Sequence, residues 1–568
     1  MTRTDEINET ADSHVPRRGS RARGVSRRAV LQGGAALGIG GAALAVASRV
    51  DAAPSLRILR QGDPTTLTIG LDGAPGDLDP HSQYELRSTL AVRGAYEGLI
   101  ALRGAATDEF DGIIAERWET NDDQSVWTFH LRPGITFQDG SPCDAEAVRA
   151  SYERLLTMQK GAFNVIARFV TDPKMVSAPD PGTVVFDLGR PQPLFASALA
   201  STYSPQVVNV KVAREHEEDG DWGNAWLQLN AEGTGTGPYR IVQFDPGELL
   251  IMERYEDYWG GWEGPHFDRI IVRVVEETET ARQLIERGEV DILDRLSMSV
   301  AAIPDFEQNP DLKVDRRTTT EVEYFIMTVA GPLETPEARQ AMCYAFPYQE
   351  VVEGVYLGYA KQARGPVAEQ LRGFSPETFQ YTTDLDKARE LFAAAGVAEG
   401  TEITLMQRTG ADPAFAQLLQ ANLQQLGMQL IIEAVESATY GAMLYGDAPA
   451  EERPHLMFWS WWPDYNDAWN HLYPQVSCEQ WGSKGTNAGF YCNERVEELL
   501  AEAKDATDEN AYYAAIAEVQ QILSRDDPPA IYFSQPEWTT VLRKDVEGFV
   551  FNPINIGTYD LHKLYRAS

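Results

Sequence analysis

Apolar and polar positions along the chain switch repeatedly between a period of two and a helical period. The pattern predicts a strand over 66–71, ending in the Gly/Pro/Asp stretch 72–80, and a helix over 90–100. Residues 126–131 alternate like a half-buried strand and run into the turn Arg132-Pro133-Gly134. Asp144 is placed to cap the next helix, whose apolar positions Val148, Tyr152, Leu155 and Leu156 fall on one face. Strands over 239–244 and 249–254 flank Asp245-Pro246-Gly247-Glu248, a hairpin signal. A helix over 279–287, stopped by Gly288, feeds a strand over 290–293. Thr335-Pro336 opens a helix that runs past Ala341. Helices over 384–395 and 414–426 stop at Gly396 and Gly427, the second followed by the apolar run 428–432. Helices alternating with short strands indicate α/β sheets with helices packed on their faces. No internal repeat of 20–50 residues is visible, which argues against a solenoid or a propeller.

Composition adds scale and a sign. The 568 residues are 43% hydrophobic, enough for several cores, and 85 acidic against 49 basic side chains give a net charge of −36. So acidic a surface repels phosphate backbones, so nucleic acid is not an expected partner. The N-terminus departs from this picture. Basic residues lead to Arg27-Arg28, then 29–47 carries 19 uncharged residues, five of them glycine. A basic region, a weakly apolar stretch and small residues at Ala45-Val46-Ala47 or near Ala53 make an export signal. The paired arginines ahead of a Gly/Ala-rich core resemble the twin-arginine type, which hands folded proteins to its own export machinery. The first Cys is Cys143, far from the cleavage region, so no lipid anchor is expected and the mature chain should be free in the periplasm.

Several motifs occur in one family's order and spacing. They are Ala115-Glu116-Arg117-Trp118; the segment 127–140 from Trp127 to Gly140; Gly235-Thr236-Gly237-Pro238-Tyr239; Tyr258-Trp259-Gly260-Gly261; and Gly288-Glu289-Val290-Asp291-Ile292. On these the chain resembles the family 5, peptide-type solute-binding proteins of ABC importers, with dipeptide- and oligopeptide-binding proteins as the relatives. Taken as residues, the motifs are mostly structural punctuation: tight Gly/Pro turns and strand ends. The resemblance implies an α/β, two-lobed periplasmic binding protein fold of the class II (cluster C) type, with an inserted domain and a hinge. It implies a signal and flexible N-terminus over 1–53, a discontinuous first lobe over 54–99, 236–327 and 537–568, an inserted domain over 100–235, and a second lobe over 328–536. It also implies a non-enzymatic, monomeric receptor that closes around a small peptide and delivers it to membrane permease subunits. An oligosaccharide receptor of the same family is the rival reading. An extracytoplasmic glycan hydrolase is the rival from another class.

The ligand signal concentrates late in the chain. Five of the twelve Trp fall between Trp459 and Trp481, and Trp459, Trp461, Trp462 and Tyr465 surround Asp464. A Trp cluster is compatible with plain core packing. An acid among them, directly after the helix- and strand-breaking Pro463, suits a cleft-lining loop. Asp464 matches the acid that holds the peptide α-ammonium in the relatives, although the Asp-Pro that usually follows is here Asp467-Ala468. Arg408 resembles the arginine that takes a dipeptide's C-terminal carboxylate, and reads equally as a solvated loop charge. Trp459, Trp461, Trp462, Tyr465 and Trp481 complete the expected ligand set. Cys478 and Cys492, 14 positions apart, match a Cys pair of the dipeptide-binding relatives and suit a disulfide in an oxidising compartment. Cys143 and Cys343 read as small buried thiols in helical surroundings. The eight His show no metal-ligand spacing, and no cofactor or metal is expected.

Overall fold

The computed structural model describes residues 63–506 and 508–567. The export segment, with Arg27 and Arg28, lies outside the described residues. Among the described residues, twelve strands form one mixed sheet built in two wings around a shared strand, Ala530–Arg543. One wing adds Ile292–Asp294, Thr66–Leu71, Arg269–Val274, Leu249–Arg254 and Tyr239–Asp245 in that order. The other adds Val322–Met327, Leu456–Trp461, Glu402–Arg408 and Gln429–Val435. The shared strand changes partner along its length. Ala530 to Ser534 pair with Val322–Met327, whereas Glu537 to Arg543 pair with Leu312–Thr318. The change falls at Gln535-Pro536, where proline has no N–H to give a continuous ladder. The chain crosses a second time at Thr319, beside the first: Thr319 Oγ1 donates to Pro536 O (2.9 Å) and Gln535 Nε2 to Thr319 O (2.6 Å).

A separate four-stranded antiparallel sheet, Ala115–Thr120, Val126–Leu131, Thr183–Asp187 and Val176–Asp180, lies within the inserted segment. The helix Ala145–Met158 covers it, with Tyr152 edge-on to Phe186 and Phe129 in one core. Arg154 of that helix ties the insertion to the first wing. Its guanidinium grips Asp79 through two hydrogen bonds (2.9 and 2.5 Å), and both side chains are fully buried. Two of the sequence motifs meet on a single acid. Glu97 accepts from Thr236 Oγ1 (2.8 Å), Tyr258 OH (2.6 Å) and Trp259 Nε1 (2.7 Å). Burial pushes its carboxyl up to about 7 against those three donors. The motifs therefore do the work of joining segments, as their residue types suggest.

Most predicted elements stand within a residue or two. Asp144, Thr335 and Asp384 each cap a helix through the side chain, ahead of Ala145–Met158, Pro336–Ala345 and Leu385–Ala394. Gly288, Gly396 and Gly427 take the positive φ that ends a helix. The helix expected over 90–100 is the main displacement. It spans Leu86–Ala95, and Ile100–Leu102 is a strand. Tyr96 is already extended, and Glu97 is held by its three donors outside the helix. Cys343 lies in a helix, but Cys143 precedes its helix, one residue ahead of the cap Asp144; both are buried and free. No helix of the described residues is long and apolar enough to cross a membrane.

Candidate functional site

The strand Leu456–Trp461 is the structural root of the site. It pairs antiparallel with Val322–Met327 and parallel with Glu402–Arg408. Its alternation divides the aromatic residues between two faces. Phe458 packs edge-on to Phe325 on one side, while Met457, Trp459 and Trp461 join Tyr324 and Met406 on the other. Trp459 and Trp461 are half-buried, and the indole N–H of Trp461 has no partner. Arg408 ends the neighbouring strand with its guanidinium 5.2 Å from the ring centre of Tyr440 and 5.9 Å from that of Trp459. The residue is exposed and forms no ion pair with any described residue. Tyr445, 44% exposed, stands edge-on to Trp459 at 6.1 Å.

Pro463 ends the strand, and Asp467 caps the helix Ala468–Val476 by accepting from Trp469 N (2.9 Å). Asp467 is thus the N-cap of a helix whose first position is Ala468 rather than proline. Asp464 lies between strand and helix and is 4% exposed. One oxygen accepts from Tyr84 OH (2.7 Å) and the other from Asn470 Nδ2 (3.1 Å), while Asn470 Oδ1 takes the Asp464 N–H (2.7 Å). Burial raises the Asp464 pKa, and the two neutral donors only partly pull it back. Among the described residues no cation pairs with it. A buried carboxylate with four lone-pair sites, two of them used by neutral groups, is one positive charge short. Tyr84 comes from the first wing and Asp464 from the second, so the contact spans the two.

The remaining sequence candidates divide. Trp462 is half-buried against Leu86, Trp538 and Ile556, where the wings meet. Tyr465 is 2% exposed and packs edge-on to Phe169 of the insertion (5.8 Å), so its ring is spent on packing. Trp481 donates its indole N–H to Tyr491 O (2.9 Å) and leans on Phe490, inside the loop closed by the Cys478–Cys492 disulfide. The structure thus places Arg408, Trp459 and Trp461 on one strand pair and Asp464 in the loop that follows it, and gives Tyr465 and Trp481 packing contacts. It adds Tyr84 and Tyr445. Neither carries a signal in the sequence: Tyr84 follows a turn-rich stretch, and its role comes from a fold contact 380 positions away.

Comparison with known proteins gives this geometry its context. The model of the bacterial extracellular solute-binding proteins, family 5, matches residues 109–483, well over half the chain. A probable D,D-dipeptide-binding periplasmic protein of Escherichia coli (strain K12) is 29% identical over 507 residues, covering 88% of this chain and 94% of that one. A glutathione-binding protein of Salmonella typhi is 25% identical over 493 residues, covering 86% and 91%. Among solved structures, a Helicobacter pylori periplasmic binding protein in complex with the peptide STSA superposes with TM-score 0.78 at 22% identity, covering 89% and 98%. A Pseudoalteromonas dipeptide-binding protein in complex with Met-Leu gives 0.77 at 21%, covering 88% and 100%. The fold is the mixed α/β, two-lobed periplasmic binding-protein fold, and the chain belongs to the bacterial extracellular solute-binding proteins of family 5.

Proposed function

We propose that this protein is an exported receptor that captures a small peptide between its lobes and delivers it to an ABC permease. The observation that carries the reading is Asp464: a carboxylate 4% exposed, held only by neutral donors and shared between the two wings. A peptide α-ammonium supplies the missing charge, and such charge-assisted hydrogen bonds are the strong ones. Arg408, exposed and unpaired at the end of the neighbouring strand beside Trp459, offers the complementary charge for a carboxylate end. The two opposite charges suit a zwitterion, and the D,D-dipeptide- and glutathione-binding relatives point to the same chemical class. In this reading the lobes hinge at Thr319–Glu321 and Gln535-Pro536, where the sheet changes partner. With these hinges the second lobe would begin at the strand Val322–Met327 rather than at 328, and the inserted domain would span 100–235.

Native mass spectrometry of protein purified from its host tests the ligand class. A retained mass that fragments as a short peptide is expected; a retained oligosaccharide overturns the peptide reading in favour of the Trp459 and Trp461 faces as sugar platforms. Export is tested separately. Replacing Arg27 and Arg28 with Lys is expected to leave full-length precursor in the cytoplasm, read by immunoblot of cell fractions. Undiminished export of that variant removes the twin-arginine assignment and leaves the receptor reading intact.

A further inference from the structure

The loop that presents Asp464 also fastens to the inserted domain, through Tyr465 and Trp469. The Arg168 guanidinium lies 4.2 Å from the ring centre of Trp469, which is itself stacked on Tyr473 at 4.3 Å. Nε and Nη1 of Arg168 are buried without a hydrogen-bond partner, and so is Oδ2 of Asp467. The other oxygen of Asp467 is occupied by Trp469 N and the Tyr512 hydroxyl. A buried guanidinium with idle N–H groups and a buried carboxylate with an idle oxygen are each costly alone. Here they belong to opposite sides of one contact and lie within each other's electrostatic reach. Beside them Phe169 receives the edge of Tyr465 at 5.8 Å, and Arg190 reaches Lys504 O at 3.4 Å.

We propose that Arg168 is the latch of the closed state: it docks on Trp469, with the buried Asp467 within electrostatic reach, and so sets how long the ligand is held without touching it. This rests on the reading of two lobes closing around a ligand. An interaction made only in the closed form slows opening and leaves encounter with the open form unchanged, so its signature is in the dissociation rate. The stem of Arg168 also packs, so Arg168→Met keeps bulk and removes charge, while Arg168→Lys keeps a cation for the indole face.

The experiment uses the mature exported protein, the dipeptide Ala-Ala as probe, and stopped-flow tryptophan fluorescence. Arg168→Met is expected to raise the dissociation rate about tenfold with the association rate within about twofold of wild type, and Arg168→Lys to recover part of the loss. A merely structural arginine would lower the melting temperature of both variants without separating the two rates. Equal dissociation rates for wild type and Arg168→Met overturn the latch. If wild type does not bind Ala-Ala, the peptide reading fails for that ligand and small-angle scattering of the ligand-free proteins decides the latch. A larger radius of gyration for Arg168→Met supports it, and equal radii overturn it.

Discussion

Asp464→Asn is expected to lower the affinity for a free dipeptide by roughly two to three decades, because leaving one member of a buried charge pair alone costs about 3–5 kcal/mol. The substitution keeps the size of the side chain. It also keeps one acceptor, but the orientation of Asn470 is fixed by the Asp464 N–H, so the new amide oxygen can serve Tyr84 or Asn470 and not both. A melting curve of the ligand-free variant therefore accompanies the calorimetry and measures that local cost separately. N-acetylating the dipeptide removes the same charge from the other side. Acetylation is expected to cost wild type a comparable amount and the variant little more, which makes a double-mutant cycle across protein and ligand. Independent, additive losses would mean that Asp464 does not hold the amine.

The pH dependence gives the same pairing a second signature. Burial raises the Asp464 pKa in the ligand-free protein. Ammonium binding needs the ionised form, so wild-type affinity is expected to fall as pH drops through that raised value. The Asn variant has no proton to take up at this position and should lack that fall.

How much of this was legible in the sequence depends on how local the cause is. Side-chain caps at Asp144, Thr335 and Asp384 and helix stops at Gly396 and Gly427 act within one turn, and they were readable. The strand bearing Trp459 and Trp461, broken by Pro463, was readable as an aromatic segment with an acid at its end. Which face each ring takes was not. Tyr465 and Trp481 look like their neighbours in sequence, yet one serves the core around Phe169 and Phe186 and the other a disulfide-closed loop. Tyr84, Glu97 and Arg154 gain their roles from partners more than 70 positions away, a distance over which composition and periodicity carry no information. Leu86–Ala95 shows the same limit at an element boundary. The apolar pattern continues to Ile100, but the requirement to bring Glu97 to Tyr258 and Trp259 ends the helix first.

The second large effect lies at Arg154, and its size changes with pH. Asp79, His81 and Arg154 are all fully buried. Burial alone pushes Asp79 up, but the bidentate Arg154 and Asn224 Nδ2 (2.7 Å) more than reverse it, and its pKa ends below the ordinary 3.8. In wild type the stability from this group is thus fully present above pH 3.8 and is lost as pH falls through the lower, folded value. His81 is the opposite case. Burial and the adjacent guanidinium, whose Nη1 meets Nδ1 at 2.9 Å, bring its pKa down to about 4, and its Nε2 faces Gln206 O (3.0 Å). Arg154→Leu removes the cation and leaves the Asp79 carboxylate buried and uncompensated. The expected loss at neutral pH is about 3–5 kcal/mol, read as a shift of the chemical-denaturation midpoint. Without the guanidinium, burial dominates Asp79 and raises its pKa, while His81 loses the neighbour that opposed its protonation and keeps the Asp79 charge that favours it. A proton taken up at either site in the folded state neutralises the defect. The deficit of the variant relative to wild type should therefore shrink between pH 7.5 and pH 5. In that range Asp79 of wild type stays ionised and wild type itself loses some stability, because His81 stays neutral when folded, with its pKa about 4, while the unfolded imidazole takes up a proton near 6.5. A variant as stable as wild type at pH 7.5, or one whose deficit relative to wild type grows toward pH 5, would show that Asp79 is not carried as a buried anion.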